Sequence, residues 1–120
     1  MRSILFKAKK LSDGKWVKGS LVKTPFGTFI EWYEDSICNK REVDTDTVCQ
    51  STGLKDCEGN EIWEGDIVER EIYDVFKGSS KVKAVIEYMD GEFVAITDGI
   101  PYSLYFKYIK VIENKFDKEK

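Results

Sequence analysis

The chain has 120 residues, 42% apolar and 34% charged, with a formal net charge of −3 and a pI near 5.1, ordinary figures for one domain or two half-size lobes. It contains no histidine, so Ser-His-Asp and Cys-His sites, histidine proton shuttles and Cys/His zinc sites are excluded. Its longest apolar run is Phe93 to Ile96, far short of the roughly 20 residues of a transmembrane helix, and MRSILFKAKKLSDG lacks the h-region and cleavage site of a secretion signal.

The punctuation is that of an all-β protein. Ile4, Phe6 and Ala8 alternate with Leu5, Lys7 and Lys9, which predicts a strand with one apolar face. Asp13-Gly14 suits a two-residue hairpin turn, returning the chain into a second strand over Lys15 to Lys23. Thr24-Pro25-Phe26-Gly27 predicts a turn with a preset proline φ, followed by a third strand over Thr28 to Tyr33. The polar stretch Glu34 to Arg41 shows no period and reads as a loop, before a fourth strand at about Glu42 to Gln50.

Ile67 to Tyr73 follows Gly65-Asp66 as a strand, and Val82, Ala84, Ile86 and Tyr88 give the cleanest alternation in the chain. Asp90-Gly91 turns the chain into Phe93 to Ile96, apolar on both faces and expected to lie inside the core. Tyr102 to Lys107 reads equally as one helical turn after Pro101 or as extended chain. Tyr108 to Asn114 predicts a last strand and Phe116 to Lys120 a fraying tail.

Charge is unevenly placed. Residues 1–23 sum to +6, residues 24–75 to −10 and residues 76–120 to +1. Lysines on solvated strand faces discourage edge pairing. The same basic hairpin, with Phe6, Trp16, Phe26, Phe29, Trp32 and Tyr33 interleaved, also fits a surface for single-stranded nucleic acid, with Lys7, Lys9 and Lys18 as its contacts; most of these rings are nevertheless expected in the core. Three cysteines, Cys38, Cys49 and Cys57, form no C-x-x-C pair, and their odd number predicts free thiols in a reducing cytoplasm. A Cys49 to Cys57 bridge, or a metal on three thiolates and a carboxylate, is the sharper alternative.

Residues 51–68 read STGLKDCEGNEIWEGDIV. Thr52-Gly53-Leu54-Lys55-Asp56, Gly59, Glu61-Ile62 and Glu64-Gly65-Asp66-Ile67-Val68 resemble the signature of the YopX family. FKAKKLSDGKWVKGSLV and IKVIENKFD resemble its opening hairpin and closing strand. The chain departs from that pattern at Ser51, Cys57, Glu58, Asn60 and Trp63, the last exchanging one aromatic ring for another. The resemblance implies a phage- or prophage-encoded protein and supplies no catalytic residue.

The motif also has a physical reading. Asp56 and Gly59 suit a type I turn closed by a left-handed glycine, and Gly65-Asp66 introduces a strand as in small SH3-like barrels. The acids from Glu58 to Glu71 lie along an exposed turn and strand, without the opposed, desolvated pair that glycoside hydrolysis needs. Asp56, Glu58 and Asn60 alternate as in a calcium loop, but Glu61 stands where that loop needs glycine. Asp98 with Glu113-Asn114-Lys115 is too short a match to indicate a nuclease.

The expectation is therefore an all-β, YopX-like unit: an antiparallel meander over 1–50 packed with an SH3-like or barrel-like lobe over 51–116, and a tail at 117–120, forming one folding unit. It is expected to be non-catalytic, without cofactor, metal or membrane, in the cytoplasm of a bacterial host. Its expected partner is a protein or a further copy of itself; the alternative is a nucleic-acid-binding accessory protein. The motif residues Thr52 to Asp56, Gly59, Glu61 to Val68, Trp63 included, are expected to be mainly structural.

Overall fold

A computed structural model describes residues 4–104 and 108–117, and every regular element in them except one 3-10 turn is a β-strand. The fold class is all-β, with antiparallel pairing throughout. The chain divides into two units, Met1–Ser51 and Thr52–Lys120.

In the first unit, β1 (Phe6–Lys9) pairs with β2 (Trp16–Thr24), β2 with β3 (Gly27–Glu34), and β3 with β4 (Ile37–Glu42). The other edge of β1 takes the start of β5 (Cys49–Lys55). Alternation places Phe6 and Ala8 on the side of a core built on Ala8, Ile30 and Val43, with Val17, Leu21, Trp32 and Val48 packed against it. Ile4, expected on the same face, precedes the strand and is exposed.

Three expectations for this unit are corrected. The Asp13-Gly14 connection is a four-residue loop between Lys10 and Lys15, not a two-residue turn: only Gly14 has positive φ, and its amide donates to the Lys10 carbonyl at 2.9 Å. Glu34 to Arg41 is no loop. Asp35 and Ser36, at φ 52° and 66°, make a tight hairpin turn that returns the chain into β4. Glu42 to Gln50 is not one strand, because the Asp44 carboxylate accepts from the Asp46 amide at 3.0 Å and starts a 3-10 turn over Thr45–Thr47. Asx capping of this kind diverts the backbone from a ladder.

In the second unit, β5 continues beside β6 (Glu61–Trp63). A five-stranded sheet then contains β7 (Asp66–Asp74), β8 (Gly78–Met89), β9 (Glu92–Thr97), β10 (Ile100–Tyr102) and β11 (Ile109–Asn114), in the order β10-β9-β8-β7-β11. Its core is Ile62, Val68, Ala84, Ile86, Ala95, Leu104 and Ile109. Asp90-Gly91 and Asp98-Gly99 have positive φ at both residues, the geometry of hairpin turns that match strand twist. The expected central strand is β9, flanked on both sides, with Val94 and Ala95 buried. Pro101 and Tyr102 are extended in β10; residues 105–107 of the ambiguous segment, and 118–120 of the expected tail, lie outside the described residues.

Candidate functional site

The motif segment shows where its polar atoms are committed. Thr52 donates its hydroxyl to the Ile62 carbonyl at 2.8 Å and accepts from the Leu54 amide at 3.1 Å, tying β5 to β6. Asp56 opens the following turn. One carboxylate oxygen accepts from the Glu58 and Asn60 amides at 2.9 and 2.7 Å, and the other accepts from the Val111 amide of β11 at 2.9 Å. The Cys57 amide donates to the Ile109 carbonyl, so the turn is fastened to β11 at two points. Burial alone would raise the Asp56 carboxyl, but the amide bonds from Val111, Asn60 and Glu58 outweigh it and hold it below the ordinary aspartate value. Gly59, at φ 85°, supplies the left-handed residue that closes the turn.

A second bracket lies ten residues on. Gly65, at φ 86°, donates to the Ile86 carbonyl of β8 at 2.7 Å and accepts from the Lys115 amide at 2.9 Å. Asp66, only 2% exposed, accepts from the Trp63 amide at 2.7 Å and from the Asn114 side-chain amide at 3.0 Å. That Asn114 amide also reaches the Glu64 carbonyl, and its oxygen accepts from Phe116. Ile62, Trp63 and Val68 are buried, and Leu54 packs against the core. Lys55 is exposed, while Glu61 and Ile67 are half-buried. Chemically, the motif joins the turn, β6, β8 and β11; its two buried carboxylates accept bonds from backbone and amide donors.

The structure brings Lys7, Lys9 and Lys18 together on one face of the first unit. Lys7 stands opposite Lys18, and Lys9 opposite Trp16. The Lys7 and Lys9 ammonium groups lie 4.5 and 5.5 Å from the Trp16 ring centroid, within cation–π range. Of the interleaved rings, Phe6 and Trp32 pack against the core, whereas Phe26 and Tyr33 are exposed. That corrects the expectation that most of them are internal. Cys38, Cys49 and Cys57 are not joined in a disulfide, and the buried Cys49 thiol donates to the Thr47 carbonyl at 3.3 Å. Among the described residues no group of three or more Cys, Asp or Glu is placed to hold a metal ion.

One feature escaped the sequence reading. Glu71 to Asp74 of β7 and Gly78 to Lys81 of β8 pair with each other and, among the described residues, with no third strand: the β11 partners of β7 end at Arg70, and the β9 partners of β8 begin at Val85. This is a two-stranded arm. Asp74 accepts from the Phe76 and Lys77 amides at 2.7 and 3.2 Å and shapes its tip. Val75 and Phe76 are there 77% and 92% exposed, and Tyr73 beside them 74%. The available signal was an apolar pair held between an Asx-turn residue and Gly78. At the root of the arm Tyr108 donates to Glu69 at 3.0 Å, which pushes the phenol up to about 12.

These elements define an all-β protein of two antiparallel units, with a clamped turn segment and a projecting apolar arm. The chain belongs to the YopX family: the family model described as YopX protein matches residues 5–116. No curated protein matches it. Among solved structures it is similar to the crystal structure of protein EF1440 from Enterococcus faecalis, with a TM-score of 0.57 and 22% identity over 95% of this chain and 94% of that one. That likeness establishes the fold alone.

Proposed function

We propose that the chain is a non-catalytic protein-binding module of phage or prophage origin, acting in the cytoplasm of a bacterial host, with the β7–β8 arm as its contact element. The observation that carries this reading is the exposure of Val75 and Phe76 at the tip of a ribbon extending beyond its neighbouring strands. Contiguous exposed apolar side chains mark interaction sites in folded proteins, and a two-stranded ribbon is marginal by itself in water. The motif carboxylates are spent on amides within the fold, which supports a structural and not a catalytic use of them. No helix among the described residues is long and apolar enough to cross a membrane.

A photo-crosslinking residue placed at position 76, and separately at 58 on the motif turn, tests the reading in the bacterial lysate. Adducts are expected from position 76 and not from 58; adducts from 58 alone, or from neither, would overturn it.

A second reading is a nucleic-acid-binding accessory protein, supported by the shared face of Lys7, Lys9 and Lys18. It ranks behind the first because the ammonium groups of Lys7 and Lys9 already lie over the Trp16 ring on which a base would stack. Fluorescence anisotropy with single-stranded DNA tests it. Salt-sensitive binding, lost when all three lysines become glutamate, would promote this reading above the first.

A further inference from the structure

The second unit carries exposed apolar side chains at both ends of its longest strand, and the two ends differ in charge. At one end Phe76 and Val75 project beside Lys77, while the Asp74 carboxylate is turned onto its own loop amides. At the other end Tyr88 and Met89 are exposed beside Asp90 and Glu92 in the turn to β9. The Tyr88 ring is held edge-on against Phe93 at 5.0 Å between centroids, so this second patch has a fixed shape.

Resting on the reading of the arm as the contact element, we propose that the occupant of the tip is a second copy of this chain, docked head to tail. The Val75-Phe76 tip covers the Tyr88-Met89 patch of the neighbouring copy, and Lys77 meets Asp90 and Glu92. A chain is not expected to make this contact with itself: β8 is one continuous strand of twelve residues from Gly78 to Met89, which separates tip and patch by up to about 36 Å at about 3.3 Å per residue. Apolar area at the centre with opposite charges at the rim is the usual anatomy of a specific interface. A contact between two different patches is heterologous. Repeated from copy to copy it gives a ring where the rotation closes and an open filament where it does not; made twice across a two-fold axis, each arm on the other's patch, it gives a mutual pair.

Light scattering coupled to gel filtration tests this with two variants that break opposite halves of the contact. Phe76→Asp brings an acid to the acidic patch, and Met89→Lys brings a cation to Lys77. Wild type is expected at twice the single-chain mass or more, and each variant alone at the single-chain mass. Mixed in equal amounts, the two variants are expected to form a pair of about twice the single-chain mass, because one contributes an intact tip and the other an intact patch. Val75→Asp serves as a second tip variant should Phe76→Asp lose its urea transition.

A wild type at the single-chain mass at every concentration would overturn the proposal, while leaving crosslinks from position 76 to a foreign protein as the separate measure of the arm reading. A variant that keeps the wild-type mass, or a mixture that stays at the single-chain mass, would also overturn it.

Discussion

The motif segment and the arm are made from similar material, acidic and apolar residues on either side of a turn, and they use it in opposite ways. In the motif turn Asp56 binds the amides of Glu58 and Asn60 and then reaches Val111, 55 residues away. In the arm Asp74 binds the amides of Phe76 and Lys77, both within its own turn. Of the two turns, one is stapled to the sheet and the other projects from it with Phe76 almost wholly in solvent. On the reading proposed above, the family signature and the contact surface are different parts of this chain. The signature marks what holds the second unit together, and the arm is where we place its binding.

The comparison can be broken by mutation, and the largest effect is expected at Asp66. Replacing it by alanine removes the carboxylate that accepts from the Trp63 amide and one of the two acceptors of the Asn114 side-chain amide in a buried site, and should cost about 3 kcal/mol or more, since charged hydrogen bonds and buried donors that lose an acceptor each count. Urea midpoints measure it.

Asp56→Asn should cost about 2 kcal/mol by the same reasoning, and it carries a pH signature. The folded carboxyl lies below its ordinary value, so its contribution is complete above roughly pH 5 and is lost as pH falls through about 4 towards the folded value. Acid titration of stability should therefore be shallower in the variant than in wild type.

Gly59→Ala should cost about 1 to 2 kcal/mol: the space beside Gly59 is open, and the penalty comes from the left-handed backbone alone. Phe76→Asp, at the arm tip, should change the unfolding free energy least, by less than about 0.5 kcal/mol when wild type and variant are both dilute enough to be single chains, while abolishing association at higher concentration. A large loss of stability there would mean that the arm is part of the fold's support.

Much of this fold was legible in the sequence, and the exceptions have physical causes. Val82 to Glu87 declared a strand because one face is buried and the other wet, and the Asp56 to Gly59 turn declared itself because few residues tolerate that geometry. The strand β4 was missed because nearly all its side chains are exposed, so no alternation marks it, and because its turn uses Asp35-Ser36 without a glycine. The 3-10 turn was read as strand because Val43, Thr45, Thr47 and Val48 are β-branched, and the Asp44 cap outweighs that preference. The arm was missed for a different reason. Apolar residues at 72–76 look the same in sequence whether a third strand covers them or not, and the extent of β9 and β11 is a property of the whole sheet. The Asp66 clamp was likewise hidden, since its Asn114 partner lies 48 residues away.

Amide hydrogen exchange read at two protein concentrations compares the two regions in one experiment. The amides of Glu58, Asn60, Trp63 and Val111, which donate to the motif carboxylates, are predicted to exchange only with global unfolding and at rates independent of concentration. The amides of the arm, residues 71–81, are predicted to exchange fast in dilute protein and to slow as concentration rises and neighbouring copies cover the tip. Motif amides that exchange as fast as those of the arm, or arm amides indifferent to concentration, would contradict the account.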